Sequence, residues 1–232
     1  MKKKSRLFSW AGVSGLLLAA FASAPAIAGG YGDGGVPLGT TLYSGRATVI
    51  AVNATVLTST HKVVIADTGE LGADGATRDA TVGTSDNPQP LEIHSRLLHA
   101  ITSGANGTAA STAAVEKLVV NLSNSLVITA DVVEADTQAV CHGDSMTVST
   151  SGSSTIANLV INGHAINVTG QPNQTITLPG LVTIIINEQS NPDVNTMMVN
   201  AIHVKVPGVK GVASADVVIS HAESGILTCN CD

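Results

Sequence analysis

The segment from Thr175 to Gln189, TITLPGLVTIIINEQ, sets the architecture. Its centre, Val182-Thr183-Ile184-Ile185-Ile186, is the densest apolar run beyond the N-terminal region, and four of these five residues are β-branched aliphatics. Branching at Cβ restricts χ1 and favours a pleated, half-buried backbone. The run is short, and it is bounded by Pro179-Gly180 on one side and by the polar stretch from Asn187 to Pro192 on the other. It reads as a central β-strand buried on both faces.

The flanking sequence reads the same way. Leu42 to Thr58 is a strand region whose two faces are both fairly apolar, and Lys62 to Ala66 is a short second strand. Asp67 to Gly83 is rich in Gly, Asp and Thr and reads as a loop. In Leu91 to Ser103, Ile93, Leu97, Leu98 and Ile101 would suit a helix face. Its strand neighbours and its Thr-Ser-Gly ending favour a strand. Ala113–Leu122 and Ser125–Glu134 are two strands split by Ser123-Asn124, with Leu126, Ile128, Ala130 and Val132 on one face of the second. Met146 to Ser149 is short, Ser151 to Ser154 a turn, and Asn162-Gly163 marks a hairpin. Thr196–Val206 and Ala215–Glu223 complete the set. About ten to twelve short strands with turn signals between them predict an all-β fold, a β-sandwich of immunoglobulin-like or jelly-roll-like type.

Residues 1–28 stand apart. Lys2, Lys3, Lys4 and Arg6 precede an apolar run, and Ala26-Ile27-Ala28 is a small-x-small cleavage site, which together form a secretory signal peptide. A flexible Gly-rich segment, residues 29–41, then leads into a single domain over 42–229 and a short tail, 230–232. No later stretch has the length of apolar sequence that a membrane-spanning helix needs. Without the leader, the chain carries seven basic and seventeen acidic residues, a formal charge of −10. That balance argues against nucleic acid and anionic membranes as partners. Phe8, Trp10 and Phe21 all lie in the leader, so only Tyr31 and Tyr43 remain as aromatics. Sugar recognition by ring stacking is poorly supported by such a chain.

Several phrases occur together: SLVITADVVEADTQAVC (Ser125–Cys141), TIANLVINGHAINVTGQPNQTITLPG (Thr155–Gly180), VTIIINEQ (Val182–Gln189), VNAIHVKV (Val199–Val206) and ADVVISHAESGILTC (Ala215–Cys229). In order and content they resemble the choice-of-anchor P family of bacterial exported proteins, over about Tyr43 to Cys229. Asn187-Glu188-Gln189 and Asn200-Ala201-Ile202-His203-Val204 are the most specific parts. The resemblance implies a secreted surface domain with a variable C-terminal attachment signal and no known catalytic activity. The C-terminal CNCD has neither an LPxTG-like motif nor a hydrophobic tail followed by basic residues. Release, or incorporation into an extracellular assembly, is the expectation.

Disulfides are expected in an oxidising compartment. Cys141 and Cys229 both follow the resembling strand phrases, and on that ground they are paired. Cys231 is then left over, and an odd cysteine in an exported chain points to an intermolecular bond. The rival use of Cys229, Cys231 and His142 as zinc ligands lacks a second ligand pair. His94 and His99, five apart, face opposite sides of a strand. Asp67, Glu70, Asp74 and Asp79 raise a calcium or ligand-binding alternative, although their spacing does not match an EF-hand loop. Gly143-Asp144-Ser145 raises a remote hydrolase alternative at Ser145. It sits mid-chain among strands, and Asp216 and His221 are not spaced as that motif requires. The sequence thus predicts a secreted, non-catalytic surface or extracellular-matrix protein without cofactor. It would join copies of itself through strand edges or through Cys231.

Overall fold

The computed structural model describes residues 40–230 except 57–58, 88–90, 123–125, 179–181 and 210–211. The leader of residues 1–28, most of the Gly-rich segment and Cys231 lie outside the described residues. The described chain forms fifteen strands in two antiparallel sheets. They are β1 (Leu42–Val56), β2 (Ser59–Asp67), β3 (Ala76–Val82), β4 (Ser85–Asn87), β5 (Leu91–Ser95), β6 (Leu97–Ala105), β7 (Thr108–Leu122), β8 (Leu126–His142), β9 (Thr147–Ala157), β10 (Val160–Ile161), β11 (His164–Ala165), β12 (Gln174–Leu178), β13 (Val182–Ser190), β14 (Thr196–Val209) and β15 (Val212–Thr228). The six-stranded sheet runs β12-β13-β14-β15-β1-β2. The nine-stranded sheet takes the strands between, with β3/β4 beside β5/β6, then β7, β8 and β9/β10, and β11 beyond β10. Neighbours in space are neighbours in sequence, closed by β15 against β1. The sandwich is therefore a meander, without the Greek-key crossovers of immunoglobulin or jelly-roll folds.

Four readings change. The principal strands are long rather than short, up to 17 residues in β8 and β15. The Asp67–Gly83 stretch contains β3, whose polar residues suit the edge of a sheet. Ser151 to Ser154 do not form a turn but continue β9, because small hydroxyl residues alternate faces as well as larger ones do. The Val182–Ile186 strand is present as β13, but only one of its faces is in the core. Val182, Ile184 and Ile186 point inward, while Thr183 and Ile185 lie half-covered on the outside, one strand from the sheet edge.

Both sheets invert their pleat along one row. In the nine-stranded sheet the inward series is Ile93 and Ser95, then Leu98 and Ala100. It is Ala113 and Val115, then Leu118 and Val120 on the next strand, and Ala130, then Val133 and Ala135 on the next. Val132 therefore faces outward, against expectation. At the crossing, Glu116-Lys117 and Asp131-Val132 both face out in register. In the six-stranded sheet two successive residues turn inward instead: Ile65-Ala66, Val49-Ile50, Ile219-Ser220, Ala201-Ile202 and Ile186-Asn187. Left-handed backbone makes the inversion, at φ 53° in Ala66, 55° in Ser220, 53° in Asn187, 51° in Lys117 and 54° in Asn158. Non-glycine residues reach this region at a steric cost of about 1 kcal/mol or more each.

The core differs on the two sides of the row. On one side, fully buried Ile93, Leu118, Ile128, Ile184 and Ile202 separate the sheets. On the other side the interior is small and hydroxylated. Ser111 Oγ donates to Glu223 O at 2.6 Å, Thr137 and Ser224 hydroxyls meet at 2.8 Å, and Ser220 Oγ donates to Val133 O at 2.8 Å, each bond joining the two sheets. A Cβ on Gly152 would lie 2.5 Å from Val199, and one on Gly104 would lie 2.6 Å from the Tyr43 ring, so only glycine permits this approach. Tyr43 plugs the end of the interior, its hydroxyl accepting the Gly107 N–H at 3.0 Å. Beside it, Cys141 of β8 and Cys229, just past β15, form a disulfide between the sheets, with Cα atoms 5.4 Å apart. This pairing is the one expected from the sequence.

Candidate functional site

The polar side chains of the six-stranded sheet converge on its outer face. Five strands contribute one residue each to a single row: Glu188 on β13, Asn200 on β14, His221 on β15, Thr48 on β1 and Asp67 on β2, each opposite the next in register. Asn200 Nδ2 donates to Glu188 Oε2 at 2.7 Å, and Asn200 Oδ1 lies 2.7 Å from His221 Nδ1. With its amide nitrogen committed to Glu188, Asn200 can only accept from the ring. His221 therefore carries its proton on Nδ1. At the other end Thr48 Oγ1 donates to Asp67 Oδ1 at 2.9 Å, and Arg46 grips both Asp67 oxygens at 2.9 and 2.7 Å.

Neighbouring rows extend the network. His203 lies between two carboxylates, with Nδ1 2.5 Å from Glu188 Oε2 and Nε2 3.1 Å from both Asp216 oxygens. Its imidazolium form donates to both. Lys205 Nζ approaches Glu188 Oε1 at 3.4 Å. Burial pushes Glu188 up, but hydrogen bonds from Asn200 and His203, with the charges of His203 and Lys205, hold its carboxyl below the usual range. Hydrogen bonding from Arg46 holds Asp67 down more directly. Burial pushes His221 down to about 4, helped by the positive charge of Arg46. Burial and the nearby acids Glu70 and Asp193 push Glu223 up. The arrangement makes a partly exposed chain of paired charges on the sheet surface.

The residues singled out from the sequence fall elsewhere. Asp67 and Glu70 share Arg46, while Asp79 pairs with His99 at 2.9 Å, so the acidic stretch is spread over separate partners. Among the described residues, no three His, Cys, Asp or Glu side chains converge in a way that could hold a metal ion. Ser145 sits in the turn after β8 with its hydroxyl 2.7 Å from that of Thr147. Asp216 and His221 belong to the network on the other sheet. His142 meets Ser149, and Cys229 is bonded to Cys141. His94 and His99 share the outer face, because the inversion at Arg96-Leu97 lies between them. On the nine-stranded sheet, Ala110, Thr112, Asp136, Gln138, Ser151 and Ser153 line an open depression of about 420 Å³.

The network was missed because residues of its face stand three apart along their strands: Ile185 and Glu188, Asn200 and His203, Val218 and His221. In regular strands such pairs face opposite ways. The inversion puts them on one face. A usable signal was the recurrence of that spacing in successive strands, with Asn187, a residue type that tolerates left-handed backbone, at one of the crossings.

The fold and this face define a class of molecule: an antiparallel meander sandwich, cross-linked between its sheets and carrying a charged network on an open sheet surface. Among the described residues no helix is long and apolar enough to cross a membrane. No protein-family description and no curated protein matches the chain. Among solved structures, Ail, the attachment invasion locus protein of Yersinia pestis, in complex with the heparin analogue sucrose octasulfate, aligns with 80% of this chain and 97% of its own at 6% identity, with a TM-score of 0.16. A likeness that slight transfers neither fold nor function.

Proposed function

We propose that the chain is an exported, non-catalytic protein of the cell surface or extracellular matrix that acts through its structure and its contacts. The observation that carries this reading is the Cys141–Cys229 bond, which ties strands 88 residues apart across the two sheets. Such bonds persist in oxidising compartments and are rare in the cytosol. The leader-like residues 1–28, the resemblance to choice-of-anchor P proteins and the mutual satisfaction of the outer-face charges support it. The test is expression of the whole chain in a bacterial host, followed by fractionation and thiol alkylation. The expected result is a chain shortened at its N-terminus, outside the cytoplasm, with Cys141 and Cys229 unreactive until reduced. A cytoplasmic, full-length chain with both thiols open to alkylation would overturn the reading.

A further inference from the structure

The outer face of the six-stranded sheet has a pattern that its own chain does not use up. Lys205 on β14 and Asp216 on β15 are register partners, and their side chains keep 45% and 52% exposure after their contacts with Glu188 and His203. Next to that row runs a largely apolar one, in which His203 stands between half-covered Ile185 and Val218, followed by half-covered Ala51 and by Val64, 53% exposed at the edge strand. We propose that two copies of this chain stack through this face, about a two-fold axis lying parallel to the strands between β14 and β15. The proposal rests on the reading of an interaction protein and names the surface and the partner.

Charge selects both the partner and the axis. A two-fold parallel to the strands keeps each row at its own height and reverses the order of strands. Lys205 then faces Asp216 of the second copy, and Asp216 faces the second Lys205, so four charges alternate at the centre. In the neighbouring row Ile185 falls over Ala51 and His203 over Val218. The other two-fold that brings the faces together runs across the strands. Where the Lys205–Asp216 row then meets its own copy, it would set Lys205 on Lys205 and Asp216 on Asp216, like against like. Stacked sheets keep their strands within about 30° of one another, so the central strands stay in register even where the outer ones splay. Six strands about 4.8 Å apart and roughly seven residues of length give about 600 Å² of projected face, near the low end for a specific contact. A face of that size fits a reversible contact between copies, and its contacts owe nothing to Cys231.

The test is sedimentation of the whole chain, carried through export and oxidation, over about 1 to 100 μM. The expected result is a concentration-dependent dimer that survives reductant. Lys205→Glu and Asp216→Lys, each alone, set like charges against each other and weaken it about tenfold or more. Mixed together, the two variants restore it as a heterodimer, because each then meets its opposite charge across the axis. Far-ultraviolet dichroism of the single variants checks that each is folded. A wild-type monomer throughout the range, a dimer unmoved by both reversals, a mixture that fails to associate, or a dimer abolished by reductant would each overturn the proposal. If the chain is not exported, the surface-protein reading fails, while the same sedimentation on chain oxidised in vitro still decides the dimer.

Discussion

His221 shows how much one side chain is asked to carry. Its side chain is 18% exposed on an outer sheet face, and its ring is held neutral between Asn200 and the Arg46–Asp67 pair. Its pKa falls from 6.5 in the open chain to about 4 in the fold. Between those values the unfolded chain binds a proton that the folded chain refuses. The stability from this group is therefore complete above about pH 6.5 and is lost as pH falls towards 4, on the order of 3 kcal/mol in all. Asp67 and Glu188, held low, lose their share at still lower pH; Glu223 and Glu134, held high, act in the opposite sense. Urea unfolding of the wild type at pH 7 and pH 5 should show the lower midpoint at pH 5. In His221→Gln the difference should shrink markedly. An unchanged pH dependence in the variant would mean that the ring is not the group responsible.

The elements of this fold were legible wherever branched aliphatics alternate, as in β1, β8 and β13, because that pattern needs only burial of one face. They were illegible where the interior is built of small residues. The run Ser151-Gly152-Ser153-Ser154 has the composition of a turn, yet it pairs along its whole length with β8 and packs against Val199 and Met197. Its strand character comes from the opposite sheet. The pleat inversion was hidden for the same reason, since the left-handed residues that make it, Ala66 and Lys117 among them, carry no mark in the sequence. These thin and inverted parts should be the least tolerant of added volume. Gly104→Ala drives a methyl into the Tyr43 ring and is expected to lower stability by about 1–3 kcal/mol. Ser220→Val removes the bond to Val133 O and adds a branched Cβ at positive φ, with an expected loss of about 2–4 kcal/mol. Thermal midpoints within a degree of the wild type for both would show that the sheets can part more easily than their contacts suggest.

At the scale of the molecule, the sheets are held by one covalent link and by hydroxyls reaching across a narrow interior. Closing an 88-residue loop restricts the unfolded chain by about 4.6 kcal/mol in the chain-entropy view, so reduction or Cys141→Ala with Cys229→Ala should lower the urea midpoint accordingly. The pairing of these two cysteines was legible only through the resembling phrases. The polar face was legible only as a recurring three-residue spacing, since its assembly depends on five strands being brought into register. Strand order adds one more consequence. Because the meander closes on itself, Thr41 and Asn230 meet at one end of the sandwich, joined by a hydrogen bond of 2.8 Å. Tension applied at these two points would load the β1–β15 ladder as a zipper, one rung at a time, which is the weak direction for a sheet. Cys229 changes the path of that load, passing it from the end of β15 directly into β8. With the bridge closed, only β1 is left to peel, and it must break with β2 and β15 together. With the bridge reduced, either strand can lead, so the redox state of one bond sets how the molecule yields to force.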